Sequence, residues 1–211
     1  MPPTFRLPNY RTHAERVLAV LPDAVSAAAF ACLWMFPLAF GVSGVRNGML
    51  VMLVEFILIH STAFLGAAAF AGNASRLRRV GLLAGFGMLY LVFIAAFSYA
   101  FEAWWPFLAF GWLLLGKLRT IFDARDPDGG GARGAQAMWA ISALAYLASV
   151  FATAFLPLPR LGIGEAVLAQ LQLPGSGLWV EQPHRVIAAG ALYFGLLAWG
   201  KWRLARAPAS A

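Results

Sequence analysis

The chain has 211 residues, of which 61% are hydrophobic and only 12% charged, with a mean hydropathy of +0.72. A soluble domain carries about twice that charged fraction, so the composition excludes an ordinary soluble globule. The net charge of +7 would suggest nucleic acid in a soluble protein. Here the basic residues fall between apolar blocks, with no basic stripe interleaved with aromatics, so topology explains them and no nucleic-acid partner is expected.

Apolar blocks of about 20 residues are long enough to cross a bilayer, and backbone groups in lipid must be satisfied within the segment, which requires helices. A β-barrel would show short segments of alternating polarity, and the run Met49 to Ala71 shows none. The first block follows Arg6, Arg11 and Arg16, an arrangement like the basic region of a secretion signal. Pro22 and Asp23 interrupt it, and the apolar run then continues through Gly41, longer than a signal core. A retained first helix is therefore predicted over 24–42. Asp23 is expected to cap it, since a carboxylate accepts from the orphan amides that follow, and Pro37 is expected to kink it. The single cysteine, Cys32, lies inside this block. It rules out an intrachain disulfide or a Cys-rich metal site and reads as a small packing residue.

The second helix is predicted over 47–71 and holds the two most informative residues, Glu55 and His60. Glu55 lies roughly 13 Å along the axis from Arg46 at 1.5 Å per residue. A carboxylate at that depth is costly toward lipid, so it should face other helices. At 100° per residue, Gly48, Glu55, Thr62, Gly66, Ala69 and Asn73 share a stripe about 80° wide. Small and polar residues of this kind admit a close helix and hydrogen bonds across the contact. Glu55 is then either a protonatable site on a conduction path or a neutral acid hydrogen-bonded for packing.

His60 lies about 140° around the helix from Glu55, so the two do not pair within it. His60 could meet a neighbouring helix or a second subunit, ligate metal or haem, or carry protons. A bis-histidine haem needs two histidines at one depth. His184 belongs to the outer side and His13 to the cytoplasmic tail, so no cofactor is predicted. Haem would require His60 to pair across a homodimer or with a methionine such as Met88. Ser61 follows His60 but points about 100° away, with no nucleophile elbow around it.

The third helix, 79–101, carries Gly81 and Gly85 as a small pair suited to helix packing. The fourth, 104–121, opens on Trp104, Trp105, Pro106 and Phe107, aromatics suited to the headgroup level. Residues 122–135, rich in glycine and charge, read as a flexible cytoplasmic linker. They lack the Lys-Ser/Thr of a phosphate-binding loop. The fifth helix, 136–157, has Ser142, Tyr146, Ser149 and Thr153 within about 60°. The connector 158–184, roughly 27 residues, is long enough to carry function. Val167, Leu168, Leu171 and Leu173 predict a short helix lying in the interface there. Glu181, His184 and Arg185 are its exposed candidates for an anionic headgroup or a metal. The sixth helix, 185–203, ends with Trp199 and Trp202.

Arginine and lysine fix the orientation, because their translocation is disfavoured. Alternate connectors hold Arg6, Arg11 and Arg16; Arg76, Arg78 and Arg79; Lys117, Arg119, Arg125 and Arg133; and Lys201, Arg203 and Arg206. The opposite set holds Arg46, Arg160 and Arg185, so the division is thirteen to three. Five or seven spans would break this alternation. The expected fold is an all-α bundle of about six transmembrane helices in a bacterial inner membrane, with both termini cytoplasmic. Three roles are consistent with it. The first is small-solute or ion permeation linked to Glu55, with Thr62, Tyr146 and Ser149 as further intramembrane polar candidates. The second is a non-catalytic membrane subunit or assembly factor, or a homo-oligomer, whose polar stripes bind partner helices. The third is a redox or lipid-modifying subunit using His60.

Overall fold

A computed structural model describes residues 13–69, 75–122 and 130–206. Every regular element among them is a helix: α1 His13–Met35, α2 Ser43–Ala69, α3 Arg76–Ala100, α4 Trp105–Phe122, α5 Gly130–Phe155, α6 Glu165–Leu171, α7 Leu178–Glu181 and α8 Pro183–Arg206. By length and composition four stretches can cross a membrane: Val17–Met35, Ser43–Ala68, Arg76–Ala100 and Gln136–Phe155. The apolar part of α4, Trp105–Leu118, is shorter. The protein is thus α-helical and of membrane type. It divides into two compact units, one from Met1–Met52 with Leu144–Ala211 and one from Leu53–Ala143.

The first helix differs from the sequence expectation at both ends. It begins before Pro22 because Ala14, Glu15, Leu18, Ala19 and Leu21 are strong helix formers, and Glu15 in the first turn complements the helix dipole. Pro22 is carried inside the helix at the loss of one amide donor. Asp23 is consequently not a cap; it is a buried mid-helix residue. Pro37 does not kink the helix. It ends it, because the residue before a proline is pushed out of the α region. The amide of Phe36 makes the last helical bond, to Cys32 O at 2.7 Å. Gly41 then turns the chain at φ +76°, a conformation other residues rarely adopt.

In the first unit α1 and α8 run antiparallel. Phe30 stacks on Phe194 with ring centroids 5.5 Å apart, and Asp23 meets Lys201 about two turns further along. Gly190 makes the approach: a Cβ there would lie 2.3 Å from the Phe30 ring. The buried face of α8 holds Val186, Ile187, Ala189, Tyr193 and Phe194, close to a 3.6-residue repeat. Pro183 suits the first turn of α8, where its missing amide would be unpaired anyway.

In the second unit α3 and α4 form an antiparallel hairpin. Ser75 caps α3, its hydroxyl accepting from the Arg78 amide at 3.3 Å. Leu83, Gly87, Tyr90, Ile94 and Ser98 form its buried face. Leu83, Tyr90 and Ile94 of that face pack with Ile57, Leu65 and Phe110 into one core. The expected glycine contact is displaced. A Cβ on Gly81 or Gly85 would meet nothing, whereas one on Gly87 would lie 3.1 Å from Leu114. Part of the predicted linker, residues 130–135, is the first stretch of α5; residues 123–129 lie outside the described residues, as does Asn73.

Candidate functional site

The intramembrane candidates separate into groups with different surroundings. Glu55 is half-buried on α2, and Thr62 and Gly66 are half-buried on the same helix. Thr62 does not reach across to another helix: its hydroxyl donates to Leu58 O at 2.6 Å, one turn back. Ser61 does the same at 3.2 Å. Hydroxyls of this type commonly back-bond to the carbonyl of the preceding turn. Within reach of Gly66 is a cation: a Cβ there would lie 3.8 Å from Lys117 Nζ.

His60 is exposed. Its ring tilts against Phe56 at 4.7 Å between centroids. Phe56 and Phe64, one turn to either side, are exposed as well. This face of α2 therefore presents Phe56, His60 and Phe64 outward, on a helix apolar enough to span a membrane. The indole of Trp139 donates to Ile59 O at 2.7 Å, tying α5 to the same turn of α2.

On α5, Tyr146, Ser149 and Thr153 are buried and Ser142 is half-buried. Ser149 donates to Ala145 O at 2.7 Å, and Thr153 to Ser149 O at 2.9 Å. Tyr146 is the exception. Its phenol donates to Met52 O of α2 at 2.8 Å, and its ring stands edge-on to Tyr193 of α8.

The connector 158–184 is an assembled structure, and Arg185 is its centre. Nη1 of Arg185 reaches Thr153 O at 2.7 Å, Ala154 O at 2.9 Å and Leu156 O at 3.2 Å. Nε donates to Gln182 Oε1 at 2.5 Å. The last carbonyls of any helix lack intrahelical donors and carry partial negative charge. Arg185 supplies both donors and charge to the end of α5. The expectation that Arg185 is exposed is thereby corrected, since it is half-buried against these carbonyls. His184 is likewise not exposed: only 4% of its surface is accessible. Burial first, and then the charges of Arg185 and Arg160, hold its pKa below the usual histidine value of 6.5. Glu181 alone of this trio is exposed.

The same connector closes the end of α1. The Trp34 indole donates to Pro159 O at 3.0 Å, and the Gly162 amide returns a bond to Trp34 O at 3.1 Å. A Cβ on Gly162 would fall 2.3 Å from Met35 O, so only glycine fits. Arg160 forms an exposed pair with Glu165 at 3.4 Å.

The sequence reading missed the ion pair between Asp23 of α1 and Lys201 of α8, 2.6 Å apart and largely shielded from solvent. A signal was present. Both residues interrupt apolar segments, and both lie toward the inner end of their predicted helices. Among the described residues no group of three or more His, Cys, Asp or Glu side chains stands together as metal ligands do. The chain matches no protein-family model, no curated protein and no solved structure.

Proposed function

We propose that the protein is a multi-pass inner-membrane subunit that binds a partner chain, or a second copy of itself, through the outward face of α2. The observation that carries this is His60. An imidazole in the middle of a spanning helix is costly against lipid and is usually turned inward or covered by another helix. His60 is exposed, with Phe56 as its ring contact and no hydrogen-bond partner among the described residues. A partner helix seated on Phe56, His60 and Phe64 would remove the imidazole from lipid and give it an acceptor, as polar side chains do between membrane helices.

The topology of this reading has six spans, α1 to α5 and α8, with α6 lying in the outer interface and both termini cytoplasmic. The thirteen-to-three division of basic residues supports it. So does the antiparallel pairing of α1 with α8, which suits termini on one side. Two of the three outer arginines also have structural tasks: Arg185 caps α5 and Arg160 pairs with Glu165.

The experiment is the size of the complex. Wild type and His60→Leu are extracted from membranes in mild detergent and compared by native electrophoresis. The reading predicts that wild type migrates with a partner or as an oligomer and that the variant dissociates. Identical migration of the two would remove the proposed role of this face. Permeation through Glu55 is the second reading, favoured by the half-buried acid on the side of α2 that carries Thr62 and Gly66. It predicts that Glu55→Gln abolishes proton-coupled flux in vesicles while leaving the complex intact.

A further inference from the structure

On α2, between Phe56 and Ala68, the exposed residues are Phe56, His60, Phe64 and Ala67, and the others are buried or half-buried. At 100° per residue these four fall within about 80° of one another, in a single stripe roughly 16 Å long. The stripe is held in place by its neighbours. Phe64 tilts against Phe86 and Tyr90 of α3, with centroids 5.5 and 6.4 Å apart, and Trp139 of α5 bonds Ile59 O beside His60. An opening this narrow is the seam for one further helix. The groove between α3 and α4, by contrast, is lined by apolar residues alone and asks for no polar match.

The stripe holds one polar group, the imidazole of His60, and no acidic or other basic side chain. A neutral imidazole has one N–H donor and one acceptor nitrogen. It is therefore complementary to itself: one ring donates and its counterpart accepts. Such pairing requires both rings at one depth in the membrane. A second copy inserted in the same orientation meets that condition without adjustment, because a two-fold axis along the membrane normal sets residue 60 against residue 60. The chain's net charge of +7 does not oppose the contact, since no fixed charge lies on the stripe. Phe56 and Phe64, one turn to either side, then meet aromatic rings of the other copy, where offset or edge-on contacts are favourable.

We propose that the occupant of this stripe is a second copy of the chain, with His60 hydrogen-bonded to the partner's His60. The proposal rests on the reading above that protein covers this face of α2, and it names the protein.

Förster energy transfer between two differently labelled populations of the full chain, reconstituted together in phosphatidylcholine vesicles, tests it with no other protein present. Wild type is expected to show transfer above that of random neighbours, falling as added lipid dilutes the copies. His60→Leu, an apolar change at an exposed position, should move the midpoint to a protein density at least about threefold higher, the effect of losing one interhelical hydrogen bond in a membrane. His60→Gln, whose amide keeps a donor and an acceptor, should stay close to wild type. Random-level transfer by wild type overturns the proposal. So does an unchanged midpoint for His60→Leu, or a Gln variant as weak as the Leu variant. Native electrophoresis of membrane extracts separates this failure from failure of the underlying reading. If purified copies stay apart while extracts hold a complex that needs His60, a different protein covers the face. If extracts hold no such complex, the proposal and the reading fall together.

Discussion

The two units treat their polar groups differently. In the first, formed around α1, α8 and the connector 158–184, polar groups on different elements engage one another: Arg185 with the end of α5, the connector with Trp34, Asp23 with Lys201. In the second, an imidazole faces outward, a lysine is half-buried without an acidic partner among the described residues, and an apolar groove stays open. We propose that the second unit presents the surface a partner covers, since an ionisable side chain within a spanning helix is costly toward lipid.

Substitutions in the first unit should accordingly cost stability, starting with Arg185. Arg185→Ala strips three carbonyls of a charged donor and should lower stability by about 3 kcal/mol, measured by thermal unfolding in detergent. Arg185→Lys, which keeps charge but not the planar fork, should recover only part of it. A milder result for Ala than for Lys would contradict the capping role. Next comes the α1–α8 ion pair. Asp23→Asn or Lys201→Ala alone leaves a shielded charge unmatched and should cost about 2 kcal/mol, reduced from the fully buried case because Lys201 keeps some solvent contact. Replacing both with leucine should cost less than either single change, and additive losses would show that the two residues do not act as a pair.

The smallest effect expected in this unit is a pH dependence. His184 has a lowered pKa in the folded chain, so the unfolded chain binds its proton first as pH falls. Stability should be level above about pH 6.5 and decline below it. His184→Phe should flatten that decline. A loss on raising the pH instead would mean that the buried imidazole is charged.

Much of the membrane character was legible in the sequence because it depends on block length and hydropathy, which are local. The first helix was misjudged where two local rules competed. Pro22–Asp23 resembles a helix start, but the helix-forming residues before it carry the turn through the proline. Asp23, Arg185 and His184 were misread for a common reason. Their roles are set by residues distant in the chain, namely Lys201 for Asp23, the end of α5 for Arg185, and burial together with Arg160 for His184. Spacing places the α5 hydroxyls on one side of the helix, yet it cannot say that Ser149 and Thr153 bond back along their own helix while Tyr146 reaches Met52 O. Gly87 was overlooked in favour of Gly81 and Gly85 because a small-residue pair says nothing about which side of the helix its neighbour takes.

The central claim is that α2 presents His60 to another protein and not to lipid. The most direct test places a photo-activatable crosslinking residue at position 60 in living cells, with Val92, an exposed apolar position on α3, as control. Illumination should give a discrete protein adduct from position 60, either a dimer or a heterologous complex, and none from position 92. Adducts only to lipid at both positions would contradict the claim and leave Glu55 as the stronger lead.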